Sequence, residues 1–167
     1  NLTLAEPSCK IDALEEIVDE LGTQQAVVFA ESRQLIELGY KRLVKAGIPC
    51  AMVTGTVEPA QRAQNVSDFQ AGKIRILLIT LGAGGEGLTL TAASIAIFLQ
   101  RSFSAIKNTQ AEDRIYGRVN DAHGAEIIDV ISRDTVEDRI REVLLEKEEK
   151  LQEIVRDKEN LRRWLEK

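Results

Sequence analysis

The sequence predicts an α/β domain in which a parallel sheet is covered by helices on both faces. Three observations lead there. Short apolar runs rich in β-branched residues recur along the chain, among them AVVFA, IRILLIT, IAIFL and EIIDVI. Runs of this length suit strands buried on both sides. Most of the stretches between them place apolar residues three and four apart, the spacing of a helix with one buried face. Glycines fall where that spacing stops, at Gly22, Gly47 and Gly72, as expected at helix C-termini. Strands alternating with helices join into a parallel sheet whose connections cross its faces.

Each element follows in order. Residues 10–21 read as a helix, with Ile11, Leu14, Ile17, Val18 and Leu21 on one stripe. Residues 25–30 are the first strand. Residues 31–46 return to helical spacing through Leu35, Leu38, Leu43 and Val44. Residues 49–54 form the next strand, with a turn at Gly55. Residues 58–71 are a helix with Pro59 in its first turn, where proline costs little. The third strand is 74–80, and the fourth is 95–99. Residues 103–118 are a loop leading into a helix, and 126–131 are a fifth strand. From residue 134 the chain reads as one long charged helix. Lys147 and Lys158 interrupt its apolar stripe, so a brace helix and a helix that pairs with another copy are both open.

A chain of 167 residues is long enough for one domain with a sizeable core. No apolar run approaches the roughly 18 residues that span a membrane, so no membrane partner is expected. The first ten residues lack the basic and apolar regions of a signal peptide. Without an initiator Met, the chain suggests an excised piece of something longer. Cys9 and Cys50 have no metal-ligand spacing and read as reduced thiols of a cytosolic protein. The net charge of −5 argues against strong nucleic-acid binding by the chain alone, because phosphate neutralisation supplies most of such affinity. Lys41, Arg42 and Lys45 are a candidate basic cluster, with a solvated helix face as the plainer reading.

In an open parallel sheet, ligands bind beyond the carboxyl ends of the strands. This directs attention to Ser32 and Arg33, Gly55 and Thr56, the stretch from Thr80 to Gly87, Arg101, and Ser132 and Arg133. Gly82, Gly84 and Gly87 formally match the dinucleotide fingerprint G-x-G-x-x-G. The turn follows the third strand, however, and the Thr-rich LTLTAAS after it makes a poor long helix. No acid stands about 20 residues further on to hold a ribose. No G-x-x-x-x-G-K-[ST] loop is present, and the single histidine, His123, gives little support to a catalytic triad. Gln110, Asp113 and Arg114 stand at i, i+3 and i+4 and share a helix face. An arginine there could reach a phosphate across a cleft. A surface charge cluster is the plain alternative.

Taken in order, these segments resemble the C-terminal RecA-like lobe of superfamily 2 helicases and translocases of the Swi/Snf type. SCKIDALEEIVDEL resembles the family's lead-in helix. QQAVVFAESRQLIELGYKRL resembles motif IV, and VTGTVEPAQRAQNVSDFQAGKIRILLIT the block after it. LGAGGEGLTLTAAS resembles motif V, RSFSAIKNTQAEDR the start of motif VI, and TVEDRI the closing helix start. The match covers roughly residues 9–141. It implies a RecA-like lobe over residues 1–133 and a charged brace or coiled-coil helix over 134–167.

The resemblance further implies one half of an ATP site, with ATP and Mg²⁺ held mainly by an N-terminal RecA-like lobe of the same full-length chain, and double-stranded DNA as a partner. Arg114 matches the first arginine of motif VI. The second, three residues later in the family, is Gly117 here, and Arg118 follows it. Arg114 and Arg118 are therefore the candidate catalytic arginines. Gln110, Asp113, Gly85, Glu86 and Gly87 are the candidate ATP-site residues. Ser32, Arg33, Gly55, Thr56, Thr80 and Thr89 are the candidate DNA contacts. Phe103 stands where the family usually has Trp. The expected location is cytoplasmic, or nuclear in a eukaryote. The shifted arginine and the acidic balance leave a second reading, a non-catalytic RecA-like module that binds nucleic acid or protein.

Overall fold

The computed structural model describes residues 9–83, 88–116, 125–132 and 136–165. Five strands alternate with helices: α1 (Cys9–Glu20), β1 (Ala26–Ala30), α2 (Arg33–Lys45), β2 (Cys50–Val53), α3 (Pro59–Gln70), β3 (Ile76–Thr80), β4 (Ile95–Phe98), α4 (Ala105–Tyr116), β5 (Glu126–Asp129) and α5 (Val136–Leu165). All strands pair in parallel in the order β2-β3-β1-β4-β5. Among the described residues between β3 and β4 there is no helix, in keeping with the Thr-rich stretch there. By contact the chain divides into two compact units, Asn1–Ser132 and Arg133–Lys167.

The register aligns Ala26 with both Ile76 and Ile95, so alternate residues of the three inner strands face the same way. Ala26, Val28, Ala30, Ile76, Leu78, Ile95 and Ile97 form one apolar layer with Ile11, Leu14 and Val18 of α1 and Leu35, Ile36 and Leu43 of α2. Val27, Phe29, Leu77, Ile79, Ala96 and Phe98 form the other with Phe69 of α3 and Ala111 and Ile115 of α4. Phe29 and Phe98 stack at 5.1 Å between centroids, a separation favoured for aromatic pairs. Arg42 ties α2 to α1 through Asp12 and Glu15, each at 2.8 Å. In the basic cluster read from the sequence, this arginine therefore faces acids of its own domain.

One expectation changes. The inner strands are buried throughout, but β2 alternates between buried and half-buried and β5 is exposed at both ends. The cause is position, since β2 and β5 are the sheet edges and are only partly covered. Among the described residues, the glycines with positive φ are Gly22, Gly47 and Gly72, at the helix ends.

Candidate functional site

Because all five strands are parallel, their carboxyl ends lie on one edge of the sheet, and five of the six candidate DNA contacts gather there. Ser32 caps α2, its Oγ accepting from the Leu35 N–H at 3.4 Å, while its own N–H donates to Gln100 Oε1 at 3.0 Å. Arg33 is exposed and pairs with Glu37 one turn along the helix at 3.3 Å. Gly55 and Thr56 are exposed in the turn after β2, closed by the Val57 N–H on the Thr54 carbonyl at 3.1 Å. Hydroxyls of Thr54 and Thr56 lie 2.9 Å apart. Thr80, at the end of β3, is 8% exposed, and its carbonyl accepts from the Ala83 N–H at 3.0 Å. Gly85, Glu86 and Gly87 lie outside the described residues, as does Arg118.

The sixth candidate, Thr89, and the motif VI group stand elsewhere. Helix α4 returns antiparallel to β4, which carries Arg114, near its C-terminus, away from the carboxyl edge. Gln110 and Asp113 are exposed, whereas Arg114 is half-buried. Burial draws the Arg114 pKa below its ordinary value by disfavouring the charged form. An arginine keeps its charge at neutral pH all the same, so the guanidinium is a partly dehydrated cation. Its backbone carbonyl accepts from the N–H of Leu90 at 2.9 Å. Leu90 is fully buried, and Thr89 beside it is exposed.

One connection therefore joins the two groups. It starts at the strand edge, where the Leu81 N–H donates to the Ala30 carbonyl at 2.9 Å. It meets the last turn of α4 through Leu90 and runs on to β4. Helix α3 holds this connection at two places. Arg62 Nη1 donates to the Ala83 carbonyl at 3.3 Å. Gln70 Oε1 accepts from the Ala92 N–H at 2.9 Å, and Gln70 Nε2 reaches Thr91 Oγ1 at 3.4 Å. The sequence reading gave Arg62 and Gln70 no role beyond a place in the stretch that resembles the family's block after motif IV. Helical spacing alone identifies which residues share a face but not which loop they meet.

Arg101, expected to face a ligand at the end of its strand, faces its own domain instead. Its Nε and Nη2 bind Asp129 of β5 at 2.6 and 3.0 Å, and Nη1 binds Glu112 of α4 at 2.5 Å. The guanidinium lies 4.0 Å from the ring centroid of Phe98, within cation–π range. Burial lowers its pKa, but the bonds and charges of Asp129 and Glu112 outweigh that and raise it overall.

Among the described residues, no helix is long and apolar enough to cross a membrane. A family model described as "Helicase conserved C-terminal domain" matches residues 9–120. The chain is 29% identical over 155 residues to the ATP-dependent helicase ULS1 of Saccharomyces cerevisiae, covering 89% of this chain and 10% of that protein. It is 30% identical to the DNA excision repair protein ERCC-6-like of Bos taurus, covering 99% of this chain and 14% of that one. It is also 30% identical to the chromatin-remodeling ATPase INO80 of Aspergillus oryzae, over 85% of this chain and 10% of that one. The chain thus spans 10–14% of the length of these relatives. The crystal structure of the C-terminal part of the Fun30 ATPase domain superposes with a TM-score of 0.72 at 26% identity, covering 83% of this chain and 46% of that one. The Pyrococcus furiosus Hef helicase domain shares the fold, with a TM-score of 0.64 at 23% identity over 79% of this chain and 28% of that one. The chain belongs to the helicase conserved C-terminal domain family, as the C-terminal RecA-like lobe of a superfamily 2 protein of the Swi/Snf type.

Proposed function

We propose that the chain is the second motor lobe of an ATP-dependent translocase that moves along double-stranded DNA. One observation carries the reading. The connection after β3 is hydrogen-bonded to the strand edge at Leu81 and to the carbonyl of Arg114 at Leu90. A shift at one end therefore has a bonded route to the other.

In this account a companion lobe in the full-length protein binds ATP and its Mg²⁺. The cleft closes against α4, and Arg114 meets the phosphates, with Arg118 as the second candidate. Gln110 and Asp113, exposed on the same helix, line the ATP side, with Gly85, Glu86 and Gly87 in the connection. A half-dehydrated guanidinium stabilises charge on a departing phosphate better than a fully hydrated one, and an arginine in this role is worth roughly 10³–10⁵ in rate. Ser32, Arg33, Gly55, Thr56 and Thr80, gathered at the carboxyl edge, contact the DNA backbone. Hydroxyls and main-chain N–H groups suit phosphates and sugars and carry no sequence information. Closure then advances this lobe along a strand.

Displacement of a triplex strand by the full-length protein tests the reading. ATP-driven displacement from intact duplex, without separation of the duplex strands, is expected. Strand separation instead would make the protein an unwinding helicase. ATP hydrolysis by the isolated chain, abolished by Arg114→Ala, would contradict the division of labour between two lobes.

A further inference from the structure

We propose that Arg101 is a positioning residue for Arg114, holding α4 at Glu112 while the Leu90 N–H holds the Arg114 carbonyl. The inference rests on the reading of α4 as the helix that faces the phosphates. Glu112 precedes Arg114 by two residues, and the Arg101 guanidinium grips it at 2.5 Å. The same guanidinium is fixed by two bonds to Asp129 on edge strand β5 and by its place against Phe98 of β4.

Three elements thus meet at one planar cation. The side chains involved are partly buried: Arg101 and Glu112 are 25% and 24% exposed, and Asp129 is 37% exposed. Elsewhere α4 is held by the Lys107 ammonium on Glu31 at 3.2 Å and by Ala111 and Ile115 in the apolar layer. Its Asn108 closes the turn before the helix through Ser102, at 2.9 Å in each direction, which sets the first turns but not the last. Leu90 holds the backbone of Arg114 through its carbonyl at 2.9 Å. Arg101 therefore governs the helix close to the residue that must be placed. A planar fork can bind two carboxylates and lie against a ring at once, and an ammonium cannot. Lysine at this position keeps the charge and loses the geometry.

The experiment is Arg101→Lys in the full-length protein, read as kcat and KM for ATP at a temperature well below unfolding. A displaced group can cost up to about a hundredfold in rate. The expected result is kcat lower by about tenfold, with KM for ATP changed by less than about twofold, because ATP binding rests with the companion lobe. Unchanged kcat beside a damaging Arg114→Ala overturns the positioning role and leaves the reading of α4 intact. Should Arg114→Ala itself prove harmless, the reading of α4 falls. Amide exchange in the 167-residue chain then decides the Arg101 assignment separately. Arg101→Lys is expected to speed exchange at residues 112–116 by about tenfold while leaving β1 and β3 protected, and unchanged exchange at 112–116 overturns it.

Discussion

Lys10 is 8% exposed, and its ammonium donates to the carbonyls of Leu99 and Val130, one just past β4 and one just past β5. A single side chain from α1 thus fastens two strand ends at the carboxyl edge. Hydrogen bonds from a charged donor contribute about 1.5–3 kcal/mol each, and buried acceptors left empty are costly. Lys10→Met keeps the apolar stem and removes the donors. Urea unfolding is expected to show a loss of about 2 kcal/mol, and an unchanged midpoint would mean that the two carbonyls gain nothing from the ammonium. The two cysteines differ just as plainly. Cys9 is exposed, whereas burial pushes the Cys50 thiol up to about 11. A thiol raised in the folded state stays protonated while the unfolded chain has already lost its proton. Its contribution to stability is therefore present below about pH 9 and is lost as pH rises toward 11. Since the thiolate is the reactive form, iodoacetamide near neutral pH is expected to modify Cys9 at least about tenfold faster than Cys50, measured by mass spectrometry. Equal rates would contradict the placement of Cys50.

Helix α2 packs onto the sheet so closely that one of its positions leaves little room for a side chain. A Cβ at Gly39 would lie 3.1 Å from Leu14 Cδ2 and 3.2 Å from Leu78 Cδ2. Alanine there is opposed by crowding and favoured by helix propensity, two effects of about 1 kcal/mol each. Valine adds two more methyl groups between α1 and β3. Gly39→Val is expected to destabilise the chain by about 2 kcal/mol in urea unfolding, and equal stability would show that the layer yields more easily than its packing suggests. Much at this scale was legible in the sequence. The helices and strands follow from their periods, and the glycine ends at 22, 47 and 72 follow from backbone freedom. Other features were not, and the reason is physical. Apolar runs do not reveal which strands lie at the edges, so the exposure of β5 was hidden. Arg101 meets Asp129 across 28 residues of chain, and only the pairing of β4 with β5 brings them together. Gln70 reaches Thr91 and Ala92 for a similar reason, because α3 crosses the face where the β3–β4 connection passes.

Over the RecA-like unit, two sets of residues stand apart and are joined by bonded backbone. Ser32, Arg33, Gly55, Thr56 and Thr80 line the carboxyl edge of the sheet, and Arg114 lies along one face on α4. Between them runs the connection that Arg62 and Gln70 fasten to α3 and that Leu90 fastens to Arg114. A motor needs this separation, since nucleotide and track are different ligands, and it needs the link, since one must move with the other. The family supplies the expectation that a second lobe completes the nucleotide site. The half-buried guanidinium of Arg114 supplies the group that would act there. The most direct test is the DNA-stimulated ATPase rate of the full-length protein carrying Arg114→Ala or Arg118→Ala. At least one substitution is expected to lower turnover by about 10³ while ATP binding persists, and turnover intact in both would contradict the account.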